Sequence, residues 1–162
     1  YKIRGDFDIQ IDCAVEFKSE VHDMEQILQF NFTDVTKELR DRELEAVMIM
    51  LTKPAAGEAH MATAYRTQGE FKQGFRTGIG SFKGSLRVTR EGNSVSTLYR
   101  KEGDPNWQNM RTFYRPPNDV VVGFKVQNFV PMRTSVGASS PFVAFFDNFK
   151  INAAQEIIDS DI

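Results

Sequence analysis

The sequence is short of most residues that build dedicated chemistry. A single cysteine, Cys13, stands among 162 residues, which excludes an intrachain disulfide and a cysteine-built zinc site. The two histidines, His22 and His60, have no Asp or Cys at metal or triad spacing, so neither is given a catalytic role. No apolar run approaches the roughly 20 residues a helix needs to cross a bilayer. Twenty Lys and Arg against 22 Asp and Glu leave a net charge of −2, so the field of the whole molecule recruits neither nucleic acid nor an anionic membrane. Gly74, Gly78, Gly80 and Gly84 are not followed by the Gly-Lys-Ser/Thr of a phosphate loop. Ser139-Ser140 lacks the glycine-flanked elbow that exposes a nucleophilic serine.

What the chain has instead is strand composition. Fourteen Phe, four Tyr and one Trp stand mostly in short segments rich in Val, Ile and Thr. Phe7, Ile9, Ile11, Cys13, Val15 and Phe17 alternate with polar or small residues, which predicts one long strand with its apolar side inward. Leu28, Phe30 and Phe32 repeat the pattern. Asp34 to Glu43 is charged and reads as a short helix or a solvated loop. Ala46 to Leu51 is apolar on both alternating faces, which predicts a strand covered on two sides or one whose outer face binds something.

His60 to Arg66 and Glu70 to Arg76, divided by Gln68-Gly69, read as paired strands. Gly84 to Lys101 reads as a hairpin turning at Gly92-Asn93, residues that tolerate positive φ. Gly103-Asp104-Pro105-Asn106 is a second turn, opening onto Trp107 and a run through Met110, Thr112 and Tyr114. Asp119 to Gln127 and Phe142 to Ile151 are the last strong strands. With no strand-helix-strand alternation and no repeat, the expected fold is all-β: an antiparallel two-sheet jelly-roll sandwich with at most one or two short helices. Residues 1–152 form that single domain, and 153–162 form a C-terminal tail.

Several stretches together carry a resemblance: Gly84 through Arg100, Gly103 to Trp107, Val120-Val-Val-Gly-Phe, Phe146-Asp-Asn-Phe and Gly5-Asp-Phe-Asp. They are similar to the concanavalin A-like lectin/glucanase superfamily, in particular its laminin-G-like and uncharacterised bacterial branches. The resemblance implies two curved antiparallel sheets with ligands on the concave face or at the rim. It leaves the chemistry open, because the superfamily includes lectins, carbohydrate-binding modules, hydrolases, lyases and adhesion domains. The Glu-x-Asp-x-x-Glu string of its glucanases does not occur here.

An aspartate on the closing strand of related jelly-rolls can hold a structural calcium with help from the early strand. The corresponding metal candidates are Asp147, Asp6 and Asp8, although no cofactor is required and hydrogen bonding to amides or an Arg would also satisfy Asp147. Asp6, Asp8 and Asp12 share a strand face, where they read either as an acid pair for hydrolysis or as a solvated surface. The ligand-binding candidates are Tyr65, Arg87, Tyr99, Arg100, Trp107 and Arg111. Aromatic rings pack on the apolar faces of sugars, and arginine grips carboxylates with two parallel hydrogen bonds. The same residues could equally cap the core or keep exposed strands soluble.

The functional expectation is a non-catalytic carbohydrate- or glycoconjugate-binding module of a larger extracytoplasmic protein, secreted, periplasmic or on the cell surface. The alternatives are a glycan hydrolase or lyase, and a structural domain of a cell-surface protein. Polysaccharide is the expected partner, without nucleic acid and without membrane insertion.

Overall fold

The computed structural model describes residues 1–17, 25–35, 45–54, 56–67, 70–129 and 142–159. Every regular element among them is a strand: β1 (Lys2–Glu16), β2 (Glu25–Asp34), β3 (Ala46–Lys53), β4 (His60–Thr67), β5 (Glu70–Gly78), β6 (Phe82–Glu91), β7 (Ser94–Lys101), β8 (Gln108–Tyr114), β9 (Val120–Phe129) and β10 (Val143–Ile158). No helix among the described residues is long and apolar enough to cross a membrane. The stretch read as a helix or loop at 34–43 lies outside the described residues from position 36 onward.

The alternation in β1 governs the architecture. Phe7, Ile9, Ile11, Cys13 and Val15 are all at most 5% exposed, and their polar neighbours face out, because successive strand residues point to opposite faces. β1 has a partner along each edge. Phe7 to Val15 pair with Arg90 to Phe82 of β6, while β10 runs antiparallel on the other side from Val143 to Ile158. The two-residue turn of the β6–β7 hairpin puts only Gly92 at positive φ, 55°, the pattern of a turn with glycine at its first central position.

The strands form one antiparallel sheet in the order β5-β4-β3-β2-β9-β1-β6-β7-β8, with β10 paired to β1 off this path. That differs from the expected pair of separate sheets. The connection is the pairing of Lys2 with Val121 and Ile3 with Val120, a two-residue ladder between distant segments whose backbone hydrogen bonds leave no hydrophobic signature in the sequence. The sheet curls into a nearly closed barrel, and β8 comes to face β4 and β5. At that seam the Tyr65 and Phe113 rings lie 5.4 Å apart.

Inside, Phe7 stacks on Phe32 at 5.4 Å and Phe30 meets Phe32 edge-on at 4.8 Å, geometries favoured by the ring quadrupole. Arg90 plugs one end of the core. Only 2% exposed, it lies 4.8 Å from the Phe7 ring centroid and donates to the carbonyls of Gly5 and Asn118. Burial pulls its pKa down, and these hydrogen bonds satisfy donors that would otherwise be costly to bury. Around it, Arg115 pairs with Glu45 and the Asn118 amide donates to Asp34.

The C-terminal tail expectation needs correcting. β10 continues to Ile158, and Ala153, Ala154, Glu156, Ile157 and Ile158 all pair with β1. The stretch Asn152-Ala-Ala-Gln-Glu has no apolar alternation of its own, so its conformation is imposed by the neighbouring strand.

Candidate functional site

The outward faces of β1, β6, β7 and β10 form an open groove of about 710 Å3. Its floor is made of small or short residues, Ala14, Gly84 and Ser85. Phe145, Asn148 and Lys150 of β10 rise on one side, and Arg100, Lys101 and the Gly103-Asp104 turn on the other. Gly84 is small for a reason. A Cβ there would fall on the carbonyl oxygen of Arg100 and within 2.9 Å of the Lys101 Cα, so β6 and β7 approach at this point only without a side chain.

Phe145 is 62% exposed. It pairs with Ala14, whereas Phe146 pairs with buried Cys13, so Phe145 points outward where strand alternation calls for a polar residue.

Next along the strand, Asp147 pairs with Asp12. Carboxylates directly opposite each other on neighbouring strands repel. Asn148 lies between them, donating its backbone N–H to Asp147 Oδ1 at 2.8 Å and its side-chain amide to Asp12 Oδ2 at 3.0 Å. To do so it takes φ of 49°, the only positive φ outside glycine among the described residues. Asparagine tolerates that conformation better than most residues. Ser85 adds a third donor, to Asp12 Oδ1 at 2.7 Å.

The sequence-derived ligand candidates separate into two groups. Arg87, Arg100 and Trp107 meet on the outer face, with the guanidinium carbons 5.3 and 4.6 Å from the indole centroid. Arg87 also grips Asp8 with two nitrogens, at 2.7 and 2.5 Å. The hydrogen bonds from Arg87 hold the Asp8 carboxyl below its ordinary value and raise the pKa of Arg87 in return. Of these three residues, Arg100 lines the groove.

Tyr65, Tyr99 and Arg111 belong instead to the inward face. Tyr99 pairs with buried Leu86 and lies 6.4 Å from the Phe75 ring. Arg111 lies over Phe113, its Cδ filling the space a side chain at Gly74 would take. These contacts close the seam between β8 and β4-β5.

The metal candidates are dispersed over three local contacts. Asp6 Oδ1 accepts the Gly92 N–H at 2.7 Å, Asp8 is held by Arg87, and Asp147 by Asn148. No three His, Cys, Asp or Glu side chains among the described residues gather at one point suited to a metal ion. Cys13 is buried, and desolvation pushes its thiol up to about 12, far from the thiolate that nucleophilic chemistry needs. Burial likewise lowers the pKa of His60, which lies 3.3 Å from Arg76.

Phe145, Lys150 and Lys101 are not among the sequence-derived site candidates, and Asn148 enters the sequence analysis only as part of the Phe146-Asp-Asn-Phe string, with no role of its own. The one local signal is the Phe-Val-Ala-Phe-Phe-Asp-Asn-Phe string at 142–149, where consecutive phenylalanines force one ring outward whatever the phase.

No family model matches the chain, and no curated protein matches it significantly. Among solved structures, a Saccharomyces cerevisiae protein described as functionally unknown is similar, with 13% identity and a TM-score of 0.63 over 96% of this chain and 74% of that one. At this identity the likeness shows a shared fold and carries no activity.

Proposed function

We propose that the chain is a non-catalytic binding module that takes a polysaccharide or glycoconjugate in the outer groove, as part of a larger extracytoplasmic protein. The observation that carries this reading is Phe145: an exposed ring on the polar face of a strand, above a floor of small residues, flanked by charged and amide side chains. A sugar presents an apolar C–H face to such a ring and hydroxyl groups to the polar flank. The concanavalin A-like kinship belongs to the same proposal. Its support is that, among the described residues, β10-β1-β6-β7-β8 and β9-β2-β3-β4-β5 are joined in the sheet ladder by two residue pairs, so each five-strand half resembles one sheet of a jelly-roll.

Glycan-array screening tests the reading. Binding is expected for the wild-type chain and is expected to fall on Phe145→Ala with the melting temperature unchanged. A chain that binds no glycan sinks it. The Asp12–Asp147 pair favours a second reading, a glycan hydrolase, since hydrolysis of this kind uses two carboxyl groups across the scissile bond. Reducing-sugar release that is abolished by Asp12→Asn would select it over the binding module.

A further inference from the structure

The kind of glycan follows from how the groove's charged groups are engaged. Its four acidic side chains each accept a hydrogen bond or ion pair from the protein itself: Asp12 from Ser85 and Asn148, Asp147 from Asn148, Asp104 from the Asn106 backbone N–H, and Glu102 from Lys83 at 2.6 Å. The four basic side chains are treated differently. Lys83 has Glu102, but the side chains of Arg100, Lys101 and Lys150 have no carboxylate or hydrogen-bond partner among the described residues. Formal charges therefore cancel across the groove while hydrogen-bonding capacity does not. The unused groups are donors.

Arg100 is the best placed of them. Trp107 carries two guanidinium groups, and they have different fates. Arg87 is closed off by Asp8, whereas Arg100 lies 4.6 Å from the same indole with its N–H groups unclaimed and lines the groove. Stacking holds a guanidinium without occupying its donor edge, which leaves the planar fork available for a carboxylate. Phe145 stands on the opposite wall.

Resting on the proposed binding function, we infer that the groove takes a uronate-bearing polysaccharide. The sugar carboxylate meets Arg100 through two parallel hydrogen bonds, and Phe145 covers the ring. Lys101 and Lys150 supply flanking positive charge. Trp107 is a positioning residue that acts through Arg100. Because the whole chain carries −2, attraction to the polymer is local rather than long-range.

Titration calorimetry on the 162-residue chain tests this with three probes: polygalacturonate, its fully methyl-esterified form, and dextran sulfate. The ester keeps the sugar and removes the charge. Polygalacturonate is expected to bind about tenfold or more tighter than the ester, and Arg100→Lys, which keeps the charge but loses the planar fork, is expected to remove about that factor. Trp107→Phe should weaken uronate binding and leave binding of the ester unchanged, with circular dichroism confirming the fold of each variant. Equal binding of acid and ester, or an Arg100→Lys variant that binds like wild type, overturns the uronate inference and leaves the glycan-binding reading standing. Dextran sulfate bound as tightly as polygalacturonate also overturns it, in favour of unspecific anion binding. Binding to none of the probes, nor to any glycan on the array, overturns both.

Discussion

Asp8 and Arg87 show how one cross-strand residue pair stabilises the surface beside the groove. Their side chains are 21% and 27% exposed, sheltered enough that the two hydrogen bonds hold their geometry. Replacing Asp8 with Asn is expected to cost about 1–2 kcal/mol, the scale of hydrogen bonds to charged groups discounted for partial exposure. The pH dependence has a definite sign. The folded carboxyl titrates below its ordinary value of 3.8, so its stabilisation is fully present above that value and is lost as pH falls through the lowered one. Urea midpoints of wild type and Asp8→Asn should therefore converge on acidification. A constant gap would assign the loss to packing. None of this pairing could be read from the sequence, since Arg87 lies 79 positions away and its partner depends on the β1–β6 register.

At the level of elements, alternation was sufficient wherever one strand face is buried. Phe7 through Val15, Leu28 through Phe32 and the β6–β7 hairpin were all legible, because a slip of one residue would expose every apolar side chain. β8 was less so: Met110 and Phe113 are the buried residues, three apart rather than two, because the register shifts between Thr97 and Leu98 of β7. Tyr114 is consequently 83% exposed, out of phase with Met110. The extension of β10 was invisible for a related reason, as its strand character comes from β1. Gly84 provides the test at this scale. Gly84→Ala is expected to cost about 1–3 kcal/mol, since the added methyl meets backbone that cannot rotate away. A melting temperature equal to wild type would contradict the close β6–β7 approach under the groove. Half the candidate site was legible in kind, as Arg100 and Trp107, but the groove was not, because Phe145 and Asn148 of β10 come near Gly84 of β6 only across the intervening β1.

For the whole molecule, the curled sheet places its farthest-separated strands side by side. β1 pairs with β6 and β10 rather than with β2, and β2 pairs with β9. Folding dominated by such distant pairings is slow, on the order of milliseconds to seconds. Trp107 is the single indole, so stopped-flow fluorescence of refolding should report this phase directly; a dominant microsecond phase would be inconsistent with the topology. The order of synthesis adds a further consequence. β1 emerges from the ribosome first among the ten strands, yet neither of its long flanking partners exists until residues 82–91 and then 143–158 have been made. Until β6 has been made its row of Phe7, Ile9, Ile11 and Val15 must wait without either long neighbour, which makes β1 the strand most prone to pair wrongly with another nascent chain.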